Sequence, residues 1–123
     1  MIERLDVEGI HMDIDEPISK YVQKKIATLD KYIPKAARNS IHGEVLLKEG
    51  KTDNNNHCTC EVTFYLPKET INVKESTINI YAAIDIVEAK LKQRIKKYKD
   101  LHSNGKMHRK LFARFNRKTN RNH

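Results

Sequence analysis

The sequence predicts an α+β fold, a two-layer sandwich in the order β-α-β-β-β-α with two helices packed on one face of a four-stranded sheet. Three observations carry that expectation. From Asn79 to Lys99, Ile80, Ile84, Val87, Leu91, Ile95 and Tyr98 fall in one stripe at helical spacing, as in a helix laid on a core. Cys58, Cys60, Val62, Phe64 and Leu66 alternate with Thr59, Glu61, Thr63 and Tyr65, which is the period of a strand with one core face and one wet face. Ile18, Val22, Ile26, Leu29 and Ile33 repeat the helical spacing near the N-terminus. Strands joined by short links favour antiparallel pairing, and two one-sided helices bury their stripes best against one sheet face.

Taken in order, residues 2–8 alternate with Leu5 and Val7 on one side and Asp6 and Glu8 on the other, and a bulge or bend is expected at Gly9 before Ile10, Met12 and Ile14. Asp13, Asp15 and Glu16 ahead of Pro17 supply a cap, early negative charge and a first-turn proline, so a helix is expected from there to Pro34. On it Lys20, Lys24 and Lys31 face outward, with Lys25 at the edge beside Tyr21; a solvated face is the default expectation for these lysines, and a share in the anion-binding surface of the last helix is the sharper alternative. Ser40 to Lys48 reads as a strand, Glu49 to Asn56 as a polar loop, and Thr70 to Lys74 as the hairpin partner of the Cys58–Leu66 strand across a turn at Pro67-Lys68-Glu69. Asn79 is suited to cap the last helix, because its side-chain oxygen can accept from the free amides of the first turn.

The chain of 123 residues is expected to form one domain, 1–102, followed by a basic tail, 103–123. The net charge of +8 is unevenly spread. Residues 1–100 hold 17 Lys and Arg against all 16 Asp and Glu, whereas 101–123 hold 7 basic residues and no acid. Within the last helix Lys90, Arg94 and Lys97 line one flank of the apolar stripe and Lys92, Lys96 and Lys99 the other, unopposed between Glu88 and Asp100. Such a surface points to a polyanionic partner, since releasing the counterions of a phosphate backbone favours binding. Arg109 and Lys110 belong to the tail, where Met107, Leu111 and Phe115 recur every four residues and Phe112 lies among arginines; a flexible tail, disordered in the free protein, is the expectation there, with a short helix formed on a partner as the functional variant.

No apolar run is long enough to cross a bilayer, and the start, Met1-Ile2-Glu3-Arg4-Leu5-Asp6, lacks the features of a signal peptide, so a cytoplasmic protein is expected. Cys58 and Cys60 share one strand face and read as reduced, buried thiols rather than zinc ligands, since no second Cys pair exists. No phosphate-binding Gly-rich loop, His-Glu-x-x-His or Gly-x-Ser-x-Gly occurs, and six scattered histidines suggest no site. A binding module without cofactor or metal is expected, not an enzyme.

Tyr81-Ala82-Ala83-Ile84-Asp85, then Lys90-Leu91 and Lys97-Tyr98-Lys99, resemble the signature of the ribosome hibernation promoting factor / ribosome-associated inhibitor A family, also labelled sigma-54 modulation proteins. The resemblance spans about residues 2–102, including the Glu16-Pro17 helix start. It departs at Ala89, Lys92, Gln93 and Arg94, keeping the apolar register while an acidic position becomes Lys92. It implies a double-stranded-RNA-binding-like fold and a monomer that binds rRNA of the small ribosomal subunit, in the channel for messenger RNA and tRNA, and silences idle ribosomes. Lys90, Lys92, Arg94, Lys96, Lys97 and Lys99 would form the main rRNA surface, with Lys24, Lys25, Arg109 and Lys110 extending it. The tail is too short for the ribosome-pairing domain of long members, so a short-type factor is expected. The alternative is a regulatory protein-interaction module that binds a transcription factor without ribosomes.

Overall fold

The computed structural model describes residues 1–52 and 55–102, with the side chains of 51, 52, 55, 56 and 102 left aside. The elements are β1 (Leu5–Ile10), α1 (Glu16–Lys25), a 3₁₀ segment (Ala27–Tyr32), the one-turn α2 (Lys35–Arg38), β2 (His42–Thr52), β3 (Asn55–Leu66), β4 (Glu69–Thr77) and α3 (Ile80–His102). The sheet has the order β1-β2-β3-β4. β1 runs parallel to β2, because the α1 crossover lies between them, while β2–β3 and β3–β4 pair antiparallel as hairpins. Among the described residues no helix is long and apolar enough to cross a membrane.

The expected core is present. Register aligns Val7, Val45, Val62 and Val73 across all four strands, and Cys60, Phe64 and Ile71 extend the same face. Against it lie Ile18, Val22, Ile26, Leu29 and Ile33, together with Ala83, Ile84, Val87, Leu91, Ile95 and Tyr98. Asp15 caps α1 by accepting from the Ile18 amide at 2.9 Å, and Pro17 occupies the first turn. Asn79 caps α3 through its side-chain oxygen, which accepts from Tyr81 at 2.8 Å and Ala82 at 3.3 Å.

Three expectations are corrected. The first helix does not run to Pro34. It ends at Lys25, and the chain tightens into the 3₁₀ segment, whose Leu29 amide bonds to the Ile26 carbonyl at 3.1 Å. Two contacts from outside the helical ladder compete there: the Thr28 hydroxyl takes the Lys24 carbonyl at 2.6 Å, and the Ile2 amide donates to the Ala27 carbonyl at 2.8 Å. Ile33 is then extended (φ −94°, ψ 140°), as a residue before proline prefers.

Gly9 is not a bulge: pairing continues through Gly9↔Leu47 and Ile10↔Lys48, and the bend falls at His11, with φ 58°. Glycine is needed at position 9 for a different reason, since a Cβ there would meet the Met12 carbonyl oxygen at 2.5 Å. The Glu49–Asn56 loop is mostly ladder, with pairing continuing through Glu49↔Cys58, Gly50↔His57, Lys51↔Asn56 and Thr52↔Asn55. Backbone ladders require no apolar side chains, so polarity alone misjudged the strand ends. At the other hairpin Lys68 takes φ 70° in a two-residue turn behind Pro67.

Candidate nucleic-acid interface

Because α3 buries its stripe, its cations divide between two seams. On the β4 side, Lys90 forms an ion pair with Glu75, and Arg94 Nη1 reaches the Asn72 carbonyl at 3.5 Å. On the other side, the Lys92 ammonium stands 5.8 Å from the ring centroid of Tyr32 in the 3₁₀ segment. Lys96, Lys97 and Lys99 are exposed and make no ion pair among the described residues. The helix therefore grows more cationic toward its C-terminal half, where positive charge also favours the helix dipole.

Lys24 and Lys25 are neighbours with different surroundings. Lys24 is exposed on α1. Lys25 lies in the α1–α3 seam, 3.7 Å from Asp85, 4.0 Å from Glu88 and 5.6 Å from the Tyr21 ring centroid. Tyr21 donates to Asp85 at 2.6 Å and meets the Tyr81 ring edge-on at 5.0 Å. Asp85 and Glu88 are thus bound up with α1. Arg109 and Lys110 lie outside the described residues.

That hydrogen bond to Asp85, followed by burial and the carboxylate's charge, pushes the Tyr21 hydroxyl up to about 12. Phenol is neutral when protonated, so a raised folded value contributes stability that is intact below about pH 10 and lost as pH rises from there through about 12. In an ultraviolet titration, the tyrosinate signal removed by Tyr21→Phe should rise near pH 12 and shift toward 10 in Asp85→Asn. An unshifted midpoint would show that the hydrogen bond is not the cause.

The open face of the sheet has the opposite character. Asp6, Glu8, Glu44 and Glu61 gather round a shallow cleft of about 370 Å³, which Leu46 and Thr63 also line. Lys48 and Lys74 flank it on the same face. Its groups bond among themselves: His42 to Asp6 at 3.0 Å, the Tyr65 hydroxyl donating to Glu44 at 3.2 Å, and the Asn72 amide donating to Glu61 at 3.1 Å and Thr63 at 2.8 Å.

The cysteines are buried on the core face, as expected, at 6% and 0% exposure. Burial pushes the Cys60 thiol up to about 12 and raises that of Cys58, so neither is a nucleophilic thiolate at neutral pH. Among the described residues no group of three or more His, Cys, Asp or Glu is placed to hold a metal ion.

Sequence reasoning named Lys31, with Lys20 and Lys24, as a candidate for the anion-binding surface of α3 only as the alternative to a solvated face, and it missed Tyr32. It put Lys31 on the outer side of a continuous helix, and only the helix break turns this pair toward Lys92. Pro34 signals an end to the helix at Ile33, but nothing in the sequence marked the break after Lys25.

These layers define a class of protein: an α+β module with a helix layer rich in uncompensated cations, backed by a sheet whose open face is acidic. The chain belongs to the Sigma 54 modulation protein / S30EA ribosomal protein family, whose sequence profile matches residues 5–102. It is 30% identical over 96 residues to the ribosome hibernation promotion factor of Staphylococcus aureus (strain COL), an alignment covering 78% of this chain and 48% of that protein. The chain thus spans about half the length of this curated relative. The crystal structure of the Thermus thermophilus Protein Y N-terminal domain superposes with a TM-score of 0.63 at 28% identity, covering 79% of this chain and 97% of that one. A ribosomal subunit interface protein from Coxiella burnetii, at 23% identity, shares the fold with a TM-score of 0.63 over 78% of this chain and 97% of its own.

Proposed function

We propose that this protein is a ribosome hibernation factor that binds rRNA in the messenger RNA and tRNA channel of the small subunit and so silences idle ribosomes. It acts without catalysis, as a free monomer recruited in the cytoplasm. Lys96, Lys97, Lys99 and Arg94 form the centre of the rRNA surface, Lys90, Lys92, Lys24 and Lys25 extend it, and Arg109 and Lys110 of the tail continue it.

The observation that carries this reading is the two-sided charge of a domain belonging to this family. A compact wedge with cations on its helix layer meets phosphates with that layer, and its acidic sheet face is repelled from them. Phosphate contacts supply affinity without reading sequence, and the volume of the bound domain excludes competing ligands. The names of the relatives, a hibernation promotion factor and a subunit interface protein, agree with it.

Sedimentation with purified ribosomes across a salt series tests the proposal. With about five phosphate contacts, log affinity should fall against log salt with a slope of roughly −4. A protein that stays at the top of the gradient at low salt would sink the proposal and leave a protein-binding regulator as the reading to pursue.

A further inference from the structure

The 3₁₀ segment brings two lysines to one aromatic ring. Lys31 Nζ stands 5.3 Å and Lys92 Nζ 5.8 Å from the Tyr32 ring centroid, both within the range where a ring attracts a cation. Neither lysine has a carboxylate within ion-pair distance among the described residues. The nearest acid in sequence, Asp30, is engaged instead by the Met1 amino group at 2.8 Å. The backbone beneath is held by Arg38, whose Nε donates to the Ile33 carbonyl at 2.9 Å and whose Nη2 donates to the Lys31 carbonyl at 3.2 Å. Contrast the other seam, where Glu75 already neutralises Lys90.

From this placement we infer that Lys31, Tyr32 and Lys92 form an RNA-backbone contact site of their own, one that takes a phosphodiester phosphate between the two ammonium groups. The inference rests on the ribosome-binding reading and adds to Lys92 of α3 two residues outside the long helices, Lys31 and Tyr32 of the 3₁₀ segment. Contact with the ring restrains each lysine, which lowers the side-chain entropy that two free lysines would lose on gripping a phosphate. With no carboxylate at ion-pair distance among the described residues, their charge is left for the ligand. A phosphate fits this pair better than a base does, because the lysines occupy the neighbourhood of the ring on which a base would stack.

The test compares the full chain with a Lys31→Gln/Lys92→Gln variant and with Lys48→Gln/Lys74→Gln, which removes the same charge from the open sheet face. Each is sedimented with ribosomes across a salt series, after melting curves establish equal stability. The Lys31/Lys92 variant should bind about tenfold more weakly, with a salt slope shallower by roughly 1.5, while the sheet-face variant binds like the parent chain. If the parent chain binds and the Lys31/Lys92 variant matches it in affinity and slope, the site is overturned and the ribosome reading stands. Equal losses in both variants also overturn it, since net charge alone would then account for the effect. A parent chain that does not bind ribosomes overturns both readings together.

Discussion

Replacing Arg94, Lys96, Lys97 and Lys99 together with glutamine is expected to lower ribosome affinity about a thousandfold near physiological salt and to flatten the salt slope by roughly 3. These four cations sit along the C-terminal half of α3, all exposed, and none is paired with an acid among the described residues. Their interaction with phosphate is therefore not diminished by an acidic partner among the described residues, and Arg94 gives up only a long contact to the Asn72 carbonyl. Removing Lys25 or Lys90 singly should cost less affinity, because each gives up an ion pair within the fold before it can meet a phosphate. Glutamine keeps the helix propensity and leaves Ile95 and Tyr98 in place, so the circular dichroism spectrum should be retained. A variant that keeps its spectrum and still binds like the parent would show that the contact surface lies elsewhere.

Phe64→Ala is expected to cost about 3–5 kcal/mol of stability, the largest effect of any single truncation in the core. Phe64 is 0% exposed and pairs with Gly43 on one side and Ile71 on the other. Its ring fills the space above Gly43, where a Cβ would come within 3.1 Å of Cε1. A domain of this size has a total stability of about 5–15 kcal/mol, so the loss consumes a large part of it. Thermal denaturation should show a midpoint lower by more than about 12 °C. The adjacent Tyr65 is on the open face and 40% exposed, so Tyr65→Ala should cost about 1 kcal/mol or less. Similar losses at both positions would mean that the two faces of β3 are misassigned.

Particular elements show how far the sequence could be read. The α3 stripe and the alternation along β3 were legible because a repeated local period leaves only one face able to enter the core. The caps at Asp15 and Asn79 were legible because each bonds to amides two or three residues away. Where the first helix stops was not, since the amide competing for the Ala27 carbonyl comes from Ile2. The ends of β2 and β3 were equally hidden, because backbone pairing extends where side chains carry no apolar signal.

The basic flanks of α3 could be listed from the helical wheel, but which of their cations remain uncompensated could not. Glu75 reaches Lys90 from β4, and Asp85 and Glu88 reach Lys25 from α3, so each neutralisation joins segments distant in the chain. The acidic character of the open sheet face likewise required the register that sets Asp6 and Glu8 of β1 beside Glu44 of β2 and Glu61 of β3.

The sequence alone determined the fold class, the core stripe and the presence of a cationic helix, since these follow from local periodicity and composition. Only the tertiary structure decided which charges are left for a partner and that Tyr32 gathers Lys31 and Lys92. Coulombic pairing depends on distance in space, and strand register, the crossover and the break after Lys25 set those distances.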